Sequence, residues 1–227
     1  MNIKPANRLK TVSEYYFSQK LREVAEMNAA GKKVINLGIG NPDLPPSAET
    51  IAALCAEAQK PDTHGYQSYV GIPELRNGFA VWYKQWYGVE LNPATEIQPL
   101  IGSKEGILHI TLAFVNPRES VLVPNPGYPK YTSASRICEA NIISYDLDES
   151  NNWQPDFEAL EQMDLSNVKL MWVNYPNMPT GANGSMELFE KLVAFGKKHN
   201  IVICNDNPYS FILNDEKLSI LSVPGAK

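Results

Sequence analysis

Four short loops in this 227-residue sequence carry side chains that could do chemistry together. Gly102-Ser103-Lys104-Glu105-Gly106 stands between the segment 97–101 and a helical pattern over 107–115. A helix opening there offers unpaired N–H groups and the positive end of its dipole to an anion, and Ser103 adds a hydroxyl donor. Pro124-Asn125-Pro126-Gly127-Tyr128-Pro129 leaves an apolar run and places Tyr128 to offer an aromatic face. Asn174-Tyr175-Pro176-Asn177-Met178-Pro179-Thr180-Gly181 is dense in turn formers and amides. Asn205-Asp206-Asn207-Pro208-Tyr209 follows Ile201-Val202-Ile203-Cys204, so the Asp206 carboxylate emerges from buried backbone and needs a partner. Singly, each has a bland reading: a strand-to-helix turn, a surface tyrosine, a helix cap at Asp206, a packed ring at Tyr209. Jointly they supply a phosphate cradle, an aromatic face, an amide-rich turn, a carboxylate and a phenol. A planar, cationic, phosphorylated heterocycle needs that set.

Other chemistries find little support. The three histidines, His64, His109 and His199, show no metal-ligand spacing. Cys55, Cys138 and Cys204 form no CxxC pair and read as reduced thiols. Gly38-Ile39-Gly40 begins like a dinucleotide fingerprint, but Asn41-Pro42 follows where a helix should open. No GxxxxGK[ST] occurs, and Asn183-Gly184-Ser185 reads as a loop with a helix cap. Twenty Lys+Arg against 25 Asp+Glu give a formal charge of −5, with no basic block to suit nucleic acid. The apolar runs are far short of the ~20 residues of a membrane span. With no apolar core behind Met1-Asn2-Ile3-Lys4-Pro5, no signal peptide is expected, and the expected location is cytoplasmic.

The elements that would position these loops alternate between strand and helix from residue 97 onward. Strands are expected at 97–101, 120–124, 140–146, 168–174 and 201–206, and helices at about 104–115, 129–138, 155–162 and 186–199. Val121-Leu122-Val123 and Ile201-Val202-Ile203-Cys204 are continuous apolar runs, as in strands covered on both faces. The pattern predicts an α/β fold with a largely parallel sheet flanked by helices. Earlier in the chain, helices are expected over 11–30, stopped by Gly31, over about 48–58, capped by Ser47, and from Pro73 to Gly88. Leu75, Phe79, Trp82 and Trp86 share one face of that last helix and are expected in the core.

With these loops in order, the sequence resembles the class I/II aminotransferases, the fold-type I enzymes dependent on pyridoxal 5′-phosphate. The resemblance rests on Gly40-Asn41-Pro42, Tyr66 with Gly71-Ile72-Pro73-Glu74-Leu75-Arg76, Gly102-Ser103-Lys104, Asn125-Pro126-Gly127-Tyr128, Pro176-Asn177-Met178-Pro179-Thr180-Gly181 and Asp206-Asn207-Pro208-Tyr209. It runs along essentially the whole chain, and the segments 99–106 and 125–129 look most like the LL-diaminopimelate aminotransferase group. The implied activity moves an amino group between an amino acid and a 2-oxo acid. The implied fold is the fold-type I large domain, with residues 1–45 as an N-terminal arm and small-domain segment and 46–227 as an incomplete cofactor-binding domain. By resemblance, Gly102, Ser103 and Lys104 hold the cofactor phosphate, Tyr128 stacks on the ring, Asp206 pairs with the ring nitrogen, and Tyr209 donates to the phenolic oxygen. Tyr66 reaches the phosphate of the neighbouring subunit of a homodimer, and Gly40 approaches the substrate carboxylate.

The sequence departs from that pattern in three ways. The family's asparagine before Pro-Thr-Gly is replaced by Met178, so either Asn177 shifts to take its contact or Tyr209 holds the phenolic oxygen alone. Asn207 stands where an acidic residue is common. The imine-forming lysine of a Ser-x-Ser-Lys motif and the carboxylate-gripping arginine do not occur within 1–227, and Lys227 lacks the lysine's context. The chain therefore looks like the N-terminal portion of such an enzyme, expected to be inactive alone. Its sheet would stop before the last strands, leaving 97–101 unpaired with 201–206. A β-lyase, a decarboxylase and a non-catalytic cofactor-binding fragment are the alternatives.

Overall fold

The computed structural model describes residues 3–12, 14–38, 40, 42–212 and 214–227. They form two compact units, one of Met1–Val12 with Val70–Lys227 and the other Ser13–Tyr69. In the smaller unit, α1 (Tyr16–Ala29) ends before Gly31, whose φ of +83° suits glycine at a helix C′ position. The Ser47 hydroxyl accepts from the Thr50 N–H and caps α2 (Ala48–Ala58), with Glu49 in the first turn. Neither helix has a buried residue.

The larger unit is built on four parallel strands, β1 (Ser120–Asn125), β2 (Asn141–Asp146), β3 (Val168–Asn174) and β4 (Val202–Asp206), in the order β2-β1-β3-β4. Helices fill the connections: α3 (Pro73–Tyr87) and α4 (Ser103–Phe114) precede β1, α5 (Pro129–Ile137) joins β1 to β2, α6 (Phe157–Glu161) lies before β3, and α7 (Met186–His199) lies before β4. Because side chains alternate across a strand, one apolar run serves two cores. Leu122, Met171 and Val173 face α6 and α7 and pack with Leu160, Leu188, Phe189 and Leu192. Val121, Val123, Leu170 and Trp172 face α4 and α5 and pack with Ile107, Tyr131 and Ala134. The sheet is thus covered on both sides, which is why β1 and β3 read as continuous apolar segments.

Two expectations need correction. Residues 97–101 are not a strand: they pair with none of the four strands, and Ile101 is 100% exposed. Pro99 removes a ladder donor from the middle of the segment. A strand also needs a neighbour to satisfy its backbone, and among the described residues β4 pairs with β3 alone, leaving its outer side open. The absence of a ladder between 97–101 and 201–206 agrees with expectation. The second correction concerns Trp82 and Trp86. Helix α3 buries no residue, and both tryptophans are partly exposed. They pack on Phe211, with ring centroids 5.0 and 5.2 Å apart, as a surface aromatic cluster outside both cores.

Candidate functional site

In a parallel sheet the loops leaving the strand C-termini gather at one edge, and ligands bind there. Three of the four sequence-predicted loops leave β1, β3 and β4 at that edge. The β3–β4 register pairs Trp172 with Cys204 and Asn174 with Asp206. Cys204 packs in the core shared with α4 and α5, and burial pushes its thiol up to about 12. Two residues on, Asp206 therefore faces the same side, under α5.

There its carboxylate meets Tyr131. The Tyr131 hydroxyl donates to Asp206 Oδ2 at 2.9 Å. The Tyr131 ring stacks on Trp172, with centroids 4.9 Å apart and planes within 4°, and it stands edge-on to Tyr128 at 5.6 Å. Burial raises the Asp206 pKa above the ordinary carboxylate value, and the Tyr131 hydrogen bond partly opposes that rise. Tyr128, the N-cap of α5, is raised by burial and then by the charges of Asp206 and Tyr209, which places all three in one electrostatic neighbourhood. Pro129 at the first position of α5 fixes the turn that aims Tyr128.

The loop after β3 is tied to the loop after β4. Asn174 Nδ2 donates to the Asp206 carbonyl at 2.6 Å, its Oδ1 accepts the Met178 N–H at 2.7 Å, and the Tyr175 N–H donates to Asn205 Oδ1 at 3.1 Å. Asn177 is buried, and its amide is spent inside the loop. Nδ2 donates to the Asn174 carbonyl at 3.2 Å, and Oδ1 accepts from the Thr180 hydroxyl at 2.8 Å. Met178 instead meets the other candidate, since the Tyr209 hydroxyl points at its sulfur, 3.6 Å away. A thioether is only a weak acceptor, so Tyr209 keeps a nearly free donor. Beyond them, the Ser210 hydroxyl donates to Asn207 Oδ1 at 2.6 Å.

The fourth loop opens α4. Gly102 is its N-cap with φ +133° and ψ 154°, a conformation nearly confined to glycine, and Ser103 and Lys104 are exposed. Glu105 Oε2 accepts the Ile101 N–H at 2.9 Å and braces the turn. Ile107, one turn further on, packs in the same core as Tyr131 and Trp172. Gly40 and Tyr66 belong to the smaller unit. Gly40 is exposed, and Ile39 and Asn41 beside it lie outside the described residues. Tyr66, in the smaller unit, is 90% exposed and donates to the Tyr69 hydroxyl at 3.3 Å. Lys227 Nζ is held at the Glu90 carbonyl, 2.7 Å, and at Glu96, 3.2 Å.

The residue that sequence reasoning missed is Tyr131. The signal was the spacing Tyr128-x-x-Tyr131 across a proline-started helix, which puts both rings on one helix face. Among the described residues no group of three His, Cys, Asp or Glu could hold a metal, and no helix is long and apolar enough to cross a membrane.

An open parallel α/β sheet with a half-buried carboxylate, a phenol cluster and a helix N-terminal turn at its C-terminal edge has the architecture of a fold-type I large domain. Comparison with known proteins makes the assignment definite. Residues 32–223 match the aminotransferase class I and II family, and the chain belongs to it. It is 42% identical over 227 residues to an LL-diaminopimelate aminotransferase of Dehalococcoides mccartyi, covering 99% of this chain and 58% of that protein. It is 41% identical to the enzyme of that name from Aquifex aeolicus, with 98% and 58% covered. The fold matches apo-BacF from Bacillus subtilis with a TM-score of 0.91 at 39% identity, covering 98% of this chain and 57% of that one. An aspartate aminotransferase from Thermotoga maritima matches with a TM-score of 0.87 at 27% identity, covering 96% and 58%. The chain thus spans somewhat over half the length of these relatives. Enzymes of the family generally depend on pyridoxal phosphate.

Proposed function

We propose that this chain supplies the pyridoxal-phosphate cradle of an aminotransferase that moves an amino group between an amino acid and a 2-oxo acid, with an LL-diaminopimelate-type substrate. The observation that carries this reading is Asp206. Its half-buried carboxylate is held by a neutral phenol and, among the described residues, by no cation. A half-buried charge whose ionised form is disfavoured gains from a positive partner supplied by a ligand, and a protonated ring nitrogen fits. Bound pyridoxal phosphate supplies a cationic ring that accepts the electron pair left when the substrate α-carbon loses its proton.

The chain's own residues bind and tune. Asp206 keeps the proton on the ring nitrogen. Tyr128 covers a ring face, worth about 0.5–1.5 kcal/mol beyond its area. The Gly102-Ser103-Lys104 turn receives the phosphate through backbone N–H groups and the Ser103 hydroxyl. Tyr209 donates alone to the phenolic oxygen, because the Asn177 amide is committed within its loop and Met178 has no donor. The remaining roles belong to the same reading: Gly40 at the substrate carboxylate, Tyr66 at the phosphate of a second subunit in a homodimer, the division at residue 45, and a cytoplasmic location. Residues 1–227 alone lack the imine-forming lysine and carry no transaminase activity.

Equilibrium dialysis of the purified chain against pyridoxal phosphate, read by absorbance, tests the reading. Saturable one-to-one binding that is lost in Asp206→Ala is expected. Equal binding by the two proteins, or none by either, contradicts it.

A further inference from the structure

We propose that Tyr131 is the positioning residue for Asp206, with its phenol clamped against Trp172 so that it fixes one carboxylate oxygen and leaves the other to the ligand. The role in ligand binding rests on the cofactor reading above; the hold on Asp206 does not. Tyr131 is 1% exposed, yet its hydroxyl ends on a carboxylate at the strand tip and not on a backbone group. Each neighbour limits its movement. The ring lies flat on Trp172, whose own carbonyl accepts the Tyr145 hydroxyl at 2.7 Å. The Tyr131 backbone is set in α5, between Tyr128 and a Ser135 hydroxyl that donates to the Tyr131 carbonyl at 2.8 Å. One run of contacts therefore joins β2, β3, α5 and β4 and ends at Asp206 Oδ2. No described residue donates to Oδ1.

A phenol suits this task for a physical reason. A lysine or arginine here would neutralise Asp206 and compete with a cationic ring. A neutral donor orients the carboxylate and leaves its charge for the ligand. Burial and the Asp206 charge both raise the Tyr131 pKa, so the phenol stays protonated and remains a donor. The titratable groups around the carboxylate are Tyr131 and Tyr128, with Tyr209 interacting with Tyr128; Tyr145 lies behind Tyr131. Burial raises the phenols of Tyr128, Tyr131 and Tyr145 further above neutrality. Asp206 is thus the group that changes charge at lower pH.

The test removes the hydroxyl and keeps the stack, as Tyr131→Phe. In cofactor-free protein labelled with carboxyl-13C aspartate, the Asp206 resonance is assigned by its loss in Asp206→Asn, then titrated. The Asp206 titration moves to higher pH in Tyr131→Phe. It stays in place in Tyr175→Phe, a control that loses a buried hydroxyl bonded to the Trp153 carbonyl in the opposite core. An unmoved Asp206 titration in folded Tyr131→Phe overturns the proposal. Should Tyr131→Phe not fold, global 3-fluorotyrosine replacement strengthens the donor without changing its shape. The Asp206 titration then moves to lower pH, and no movement overturns the proposal.

Dialysis against pyridoxal phosphate supplies the second arm, with a dissociation constant about tenfold higher in Tyr131→Phe. If Asp206→Ala binds pyridoxal phosphate as the parent does, the cofactor reading falls. The titration arm then still decides whether Tyr131 holds Asp206.

Discussion

The two faces of the sheet are built from the same strands but differ in chemistry. Toward α6 and α7 the strands present Leu122, Met171 and Val173 to Leu160, Leu188, Phe189 and Leu192, an interior dominated by hydrocarbon. Toward α4 and α5 they present Trp172 and Cys204 to Tyr131, with Asp206 at the strand end. That second face carries a buried Trp172 Nε1 with no hydrogen-bond partner and a carboxylate shifted against its ionised form. Unsatisfied donors and buried charge cost stability, whereas close-packed aliphatic groups supply it. One face stabilises the sheet, and the other uses that stability to hold polar groups in place, as the proposed cofactor site requires.

Substitutions should separate the two faces. The largest effect is expected on the packing face, where Leu192→Ala should lower unfolding free energy by about 2–5 kcal/mol in denaturant titration. Its pyridoxal phosphate affinity, measured well below the melting temperature, should stay unchanged. On the other face Asp206→Ala should reverse that pattern, raising the dissociation constant for pyridoxal phosphate about 100-fold with little loss of stability. Gly102→Ala should cost about 1–3 kcal/mol by forcing a side chain into a glycine conformation. No atom lies within 4 Å of the new Cβ, so the cost is backbone strain and not a clash.

The pH dependence of Asp206→Asn sharpens the comparison further. The folded-state pKa of Asp206 is raised, so the parent's favourable contribution is complete below the unfolded pKa and is lost as pH rises through the folded value. Asp206→Asn should therefore melt above the parent near neutrality. The gain should vanish as pH falls toward about 4, the ordinary aspartate value. The smallest effect belongs to Trp172→Phe, which keeps a ring for Tyr131 and removes the orphan N–H. Its stability should change by no more than about 1 kcal/mol in chemical denaturation.

Much of this division was legible in the sequence, through period and position. Continuous apolar runs marked β1, β3 and β4, and the first polar residues after them marked the C-terminal edge of the sheet, so Asp206, Tyr128 and the amide loop were singled out as candidates from local pattern alone. What the pattern missed depends on partners far along the chain. Residues 97–101 have a strand's composition, but strand pairing is a property of two segments, and among the described residues no strand pairs with this one. Trp82 and Trp86 have the spacing of a core face, but Phe211, more than a hundred residues away, decides what they pack on. Tyr131 read as an ordinary helix residue, because its bond to Asp206 spans 75 positions. The Met178 substitution was visible, while the commitment of the Asn177 amide to Asn174 and Thr180 needed coordinates.

A crystal structure of the chain with pyridoxal phosphate puts the whole reading to the most direct test. The ring nitrogen should lie about 3 Å from the Asp206 carboxylate, with Tyr128 against the ring face and the phosphate on the Gly102–Lys104 turn. A ring bound elsewhere, with Asp206 still bonded to Tyr131 alone, would contradict it.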